Sequence, residues 1–96
     1  MSAQVPPFAV HMEKILDAVA EHVHRTPDRL AVVAEDGSLT YAELHRRSHQ
    51  LASALVAAGI EPQQPVGLDA TRGTGFVVGL LGILRAGGAY LPMEPD

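Results

Sequence analysis

Cysteine is absent from the 96-residue chain, which excludes disulfides, thiolate nucleophiles and cysteine-ligated metals together. Cationic patches are missing too. Seven basic residues are scattered against eleven acidic ones, a formal charge of −4. Nothing here would neutralise a row of phosphates, so nucleic acid is not an expected partner. The longest apolar stretch, Phe76 to Leu84, falls far short of the roughly 18–20 residues that cross a bilayer, and no membrane role is expected. Met1 to Pro7 lacks the apolar segment of a signal peptide, and with the absent cysteines this points to a reducing, cytoplasmic setting. There is no internal repeat and no low-complexity tract. What remains is 47% hydrophobic and 19% charged, a balance suited to one small α/β unit of marginal independent stability or a piece of something larger.

The local patterns predict a definite order of elements. Met1–Pro7, with its Pro6-Pro7 pair, reads as a disordered leader. From Phe8 to Arg25, Met12, Ile15, Leu16, Val19 and Val23 recur at helical spacing, which predicts a surface helix with one buried stripe, supported by a Glu21–Arg25 pair and stopped before Pro27. Leu30–Ala34 reads as a strand, Asp36-Gly37 as a tight hairpin turn, and Leu39-Thr40 as the returning strand. Thr40 and Glu43 have capping-box spacing at the start of a second helix. Leu44, Ser48, Leu51, Ala52, Leu55 and Ala58 form its inner face, and Gly59 is placed to end it. Pro65–Leu68 reads as a strand, Thr71–Gly75 as a glycine-rich turn, Phe76–Arg85 as an apolar helix eased into place by Gly75, Gly79 and Gly82, and Ala89–Met93 as a strand whose pairing Pro92 limits beyond Leu91. Strand, helix, strand with so short a crossover means two parallel strands of a larger sheet, with an open edge at Tyr90 and Leu91.

Several residue groupings suggest chemistry. His45 and His49 stand at i,i+4, the spacing of two zinc ligands, but Arg46 and Arg47 lie between them and no third ligand is indicated, so a solvated face is the better reading. His11, His22 and His24 are read the same way. Gly73, Gly75 and Gly79 followed by Glu94 outline a dinucleotide-binding βαβ unit. The third glycine, however, is one residue too late for that fingerprint, and Arg72 intrudes on the turn. Gly75 and Gly79 also match a small-residue helix contact, in a run too short for a membrane. Ser48 and His45 come with no third member or oxyanion donor that would make a triad.

Two longer strings are more specific. Leu39-Thr40-Tyr41-Ala42-Glu43-Leu44 and Leu84-Arg85-Ala86-Gly87-Gly88-Ala89-Tyr90-Leu91-Pro92-Met93-Glu94-Pro95, in that order, resemble the first two core motifs of the amino-acid adenylation domains of nonribosomal peptide synthetases. Arg25-Thr26-Pro27-Asp28 followed by Leu30–Glu35 resembles the family's opening, and the likeness runs from Phe8 to Asp96. Glu94 stands where the family commonly has Asp, and only Arg72 is kept from the Arg-Ser-Pro-Glu-like turn usual around Asp69–Gly75.

The resemblance implies the N-terminal part, residues 8–96, of an ATP- and magnesium-dependent enzyme. The complete domain would make an aminoacyl adenylate and pass it to a phosphopantetheine thiol on a carrier protein. The family's phosphate loop, nucleotide and amino-acid pockets and C-terminal lysine have no counterpart here, so no catalytic, cofactor or metal residue is assigned. Gly87 and Gly88 are expected to turn the chain and allow close approach. Because Met1 lies just before the family-like start, the expected parent is a free-standing or first-module enzyme with no condensation domain ahead of it. Some such domains dock a small MbtH-like protein near this second motif, which makes Ala86, Gly87 and Ala89 the candidate contacts. The alternatives kept open are a small structural or interaction module and the dinucleotide-binding unit.

Overall fold

A computed structural model describes residues 7–69 and 73–93, with side chains from Lys14 onward. The expected leader as far as Pro6, the side chains of His11 and Met12, the Thr71-Arg72 part of the glycine-rich turn, and Glu94 to Asp96 lie outside the described residues. In chain order the elements are α1 (Pro7–Arg25), β1 (Leu30–Ala34), β2 (Gly37–Thr40), α2 (Tyr41–Ala57), β3 (Pro65–Asp69), α3 (Thr74–Arg85) and β4 (Ala89–Met93). This is the expected α/β order: helix, antiparallel hairpin, helix, parallel βαβ.

The core forms where β2, α2 and α3 meet. Leu39, Leu44 and Leu81 are buried together, and Leu16, Val19, Ala31, Val32, Val77 and Val78 pack around them. α3 comes closest to its neighbours through glycine. A Cβ on Gly82 would sit 2.6 Å from Leu51 Cδ2 and 2.9 Å from Leu51 Cβ, and one on Gly79 would sit 2.5 Å from Leu68 Cδ1. Gly75, in the first turn of α3, has open space around it instead.

α1 contributes less than its periodicity promised. Leu16, Val19 and Val23 are half-buried, but Ile15 is 49% exposed because only one edge of the helix meets the core. The Arg25–Glu21 pair forms at 3.4 Å and is exposed at both ends, so it is worth a few tenths of a kcal/mol. Thr26 closes the helix, its amide and hydroxyl both donating to the His22 carbonyl.

The hairpin pairs Ala34 with Gly37, so its two-residue tip is Glu35-Asp36 and not the expected Asp36-Gly37. Asp36 has an ordinary negative φ and only Gly37 is positive. The cause is tertiary: the Asp36 carboxylate is held by Thr74 at the start of α3. At the end of α2, Gly59 takes φ +87, as expected of a left-handed cap, but Ala58 lies beyond the last helical residue and is exposed, outside the inner face assigned to it.

β3 and β4 run in parallel in register from Pro65↔Ala89 to Asp69↔Met93. Pairing therefore continues through Pro92, contrary to expectation. The Ala89 amide donates to the Gln64 carbonyl on the β3 side. By the period-two alternation of a strand, the amides of Tyr90 and Pro92 face the other edge, where the missing N–H of proline costs the ladder nothing. Among the described residues β4 pairs only with β3, so its other edge is open as expected, and Tyr90, Leu91 and Met93 are exposed along the strand.

Candidate functional site

The first motif is a joint between hairpin and helix. The Glu43 amide donates to Thr40 Oγ1 at 3.2 Å and the Thr40 amide donates to Glu43 Oε1 at 3.1 Å, so both arms of the capping box close. Accepting these bonds holds the Glu43 carboxyl below its usual range. Two further donors of the first turn, the amides of Tyr41 and Ala42, reach the carbonyls of Arg29 and Pro27. The Tyr41 ring stacks on His22 at 4.9 Å, while Leu39 and Leu44 turn inward and are 3% exposed.

The second motif clasps one loop onto another. Leu84 is half-buried and Ala86 caps α3. Gly87 then reverses the chain at φ +84, which a side chain would resist. Its carbonyl accepts from the Gln63 amide at 2.8 Å, holding Gln63 at an unusual φ of +66. Gly88 is buried, and a Cβ there would stand 3.2 Å from the Gln64 carbonyl oxygen. Of the proposed partner contacts, Gly87 is exposed and Ala86 and Ala89 are half-buried, whereas Tyr90 and Pro92 lie exposed on β4.

Arg85, the one charged residue of that motif within the described residues, reaches back to α2. Its Nε donates to Ser48 Oγ at 3.1 Å, and the fully buried Ser48 hydroxyl donates to the His45 carbonyl at 3.1 Å. A serine among apolar inner-face positions hinted at such a partner, but nothing local pointed to Arg85. His45 and His49 stand with ring centroids 4.2 Å apart. Desolvation first, then Arg85 and His45, lower the His49 pKa. That environment disfavours added positive charge, and no group of three or more metal-ligating side chains occurs among the described residues.

Sequence reasoning also missed the role of Asp36. Its carboxylate accepts from the Thr74 amide at 3.2 Å and from the Thr74 hydroxyl at 2.9 Å, which supplies α3 with a capping group that Gly73 lacks. These bonds hold the Asp36 carboxyl below its ordinary value.

Among the described residues, the polar groups of the hairpin and the first motif do not fit ATP with magnesium. The carboxylates of Asp36 and Glu43 are already engaged by backbone donors, and Lys14, the single lysine, is exposed on α1. No step of a reaction is assigned to them.

Residues 19–96 match the AMP-binding enzyme family. Bacitracin synthase 3 of Bacillus licheniformis is 49% identical over 81 residues, 84% of this chain but 1% of that protein. The nonribosomal peptide synthetase FmoA3, solved with AMPPNP bound, superposes with a TM-score of 0.74 at 39% identity over 79% of this chain and 8% of its own. A fatty acid AMP ligase from Legionella pneumophila, at 22% identity, shares the fold over 96% of this chain and 17% of its own with a TM-score of 0.78. The chain thus spans a small fraction of the proteins it matches. Motifs, element order and superposition agree: this chain belongs to the AMP-binding enzyme family, as part of an adenylation domain closely related to those of nonribosomal peptide synthetases.

Proposed function

We propose that residues 8–96 are scaffold in the N-terminal part of an adenylation domain that, when complete, activates an amino acid with ATP and magnesium as an aminoacyl adenylate and loads it on the phosphopantetheine thiol of a carrier protein. The carrying observation is that the capping pair of the first motif and the turn of the second both bond to backbone. Thr40 and Glu43 close the first turn of α2, and the Gly87 carbonyl holds the Gln63 amide. Groups so engaged shape a frame and are not free to meet a phosphate or a carboxylate substrate.

ATP–pyrophosphate exchange tests this reading. The 96-residue chain alone is expected to show none, and a chimera in which it replaces the matching segment of a related adenylation domain is expected to keep exchange. Exchange by the chain alone, or a folded chimera with none, overturns the proposal. Gly87 is exposed beside the half-buried Ala86 and Ala89, which favours a second role for this turn in docking an MbtH-like protein. Co-purification that Ala89→Trp abolishes would support that contact, and undiminished co-purification would remove it.

A further inference from the structure

Among the described residues Arg85 has no counter-charge. Its Nε is satisfied by Ser48, but Nη2 is closed to water and meets no acceptor. Among the described residues no carboxylate forms a salt bridge with it, and the Arg25–Glu21 pair lies on α1. Burial pushes the Arg85 pKa below its ordinary value, yet a guanidinium stays charged at neutral pH. A half-buried cation with one donor closed off and unmet is an uncommon arrangement, because the hydration lost at that N–H is not replaced by a hydrogen bond.

The same side chain lines a shallow groove of about 560 Å³ between the helices, walled by Leu16 of α1, His49, Ala52 and Val56 of α2, and Arg85 of α3. Its walls are mainly aliphatic, its one full charge is positive, and Val56 is 60% exposed at its rim. An apolar trough with a single cation selects an occupant that is apolar with a single anion.

We infer that this groove is a docking notch for a partner polypeptide segment bearing one Asp or Glu beside an aliphatic residue, with the carboxylate seated against the Arg85 guanidinium. The aliphatic neighbour covers Leu16, Ala52 and Val56. The guanidinium charge is delocalised, so a carboxylate in the groove neutralises it whichever N–H it accepts from, and the planar fork suits carboxylate geometry. The inference rests on the guanidinium and the groove and stands independently of the adenylation reading.

The test is a titration of the ¹⁵N-labelled 96-residue chain, following the Arg85 Nε–H resonance. The probes are N-acetyl-Leu-Glu-Leu-amide, its Gln analogue, and sodium acetate. The Glu peptide is expected to shift Arg85 saturably, at least ten-fold more tightly than either other probe, and Arg85→Met to abolish its binding. No saturable shift, equal binding of the Glu and Gln peptides, or saturation by acetate at the same concentration overturns the docking notch, the last marking a site for free anions. Because Met removes an unpaired charge while keeping the chain's length and apolar stem, Arg85→Met is also expected to raise the melting temperature of the chain alone; a fall overturns the premise that Arg85 lacks a partner.

Discussion

α2 and α3 lie against each other and begin in opposite ways. α2 starts on a capping box whose two members are three residues apart, Thr40 and Glu43. α3 starts on Gly73, which offers no side chain, and takes its capping carboxylate from Asp36, separated from Thr74 by 38 positions. The flanks differ in the same sense. α2 presents a buried row of Leu44, Ser48 and Ala52 with a polar outer side, while α3 is apolar almost throughout and admits Leu51 and Leu68 against its glycines. One helix is specified by its own stretch of chain, and the other is completed by what surrounds it. A helix of the second kind forms only as the fold assembles, because an uncapped, glycine-rich segment has little helical preference in water.

The largest expected effect lies where α3 meets α2. Gly82→Ala would place its Cβ 2.6 to 2.9 Å from three Leu51 atoms, including Cβ, which cannot swing away. A loss of about 1–3 kcal/mol in urea unfolding is expected despite better helix propensity. Gly79→Ala meets only the tip of Leu68 closely, and the gain of roughly 1 kcal/mol in propensity should leave stability near wild type. Equal losses at both glycines would end the claim that approach to Leu51 sets the position of α3.

Next in size is the local cap. Thr40→Ala should cost about 1 kcal/mol, and Thr40→Ser should recover most of it. Asp36→Ala should leave α2 alone and speed amide hydrogen exchange at Thr74 and the turn that follows. If instead Asp36→Ala loosened α2 as much as α3, the contrast between the two helix starts would fail.

The smallest effect is in pH. Asp36 and Glu43 both have carboxyls held below their ordinary values, so the stability they contribute is present at neutral pH and is lost as pH falls below about 4, through their lowered pKa values. Asp36→Asn and Glu43→Gln should each flatten part of that acid limb in a melting-temperature series. His49, whose pKa is lowered chiefly by desolvation, adds a shallower loss as pH drops below roughly 6.5, because the unfolded chain binds the proton more readily. His49→Gln should remove that shallow step and leave the acid limb in place.

The expectations that failed share a cause. Asp36-Gly37 carried a hairpin signal, and a hairpin formed, but the tip moved one residue because Asp36 was drawn to Thr74. Ile15 obeyed the periodicity of α1 and still stayed exposed, since among the described residues only one edge of that helix meets the core. By pattern alone Pro92 limits pairing beyond Leu91, yet the ladder runs through it, because a strand pattern does not say which edge a given amide faces. Ser48 was assigned to the inner face correctly, but its partner Arg85 is 37 positions away and could not be named.

The order and type of the elements, the capping box of α2, the glycine that ends it, the parallel sense of β3 and β4, and the family were all legible in the string of residues. Each of these depends on residues within a few positions of one another, or on strings long enough to be recognised whole. How α3 is capped, which glycines admit a neighbour, how Gly87 clasps Gln63, and that Arg85 lies half-buried beside Ser48 with Nη2 unmet were settled only when distant segments packed together. Those outcomes depend on groups far apart in the chain meeting at distances near 3 Å, a range over which hydrogen bonding and steric exclusion act and which local pattern cannot resolve.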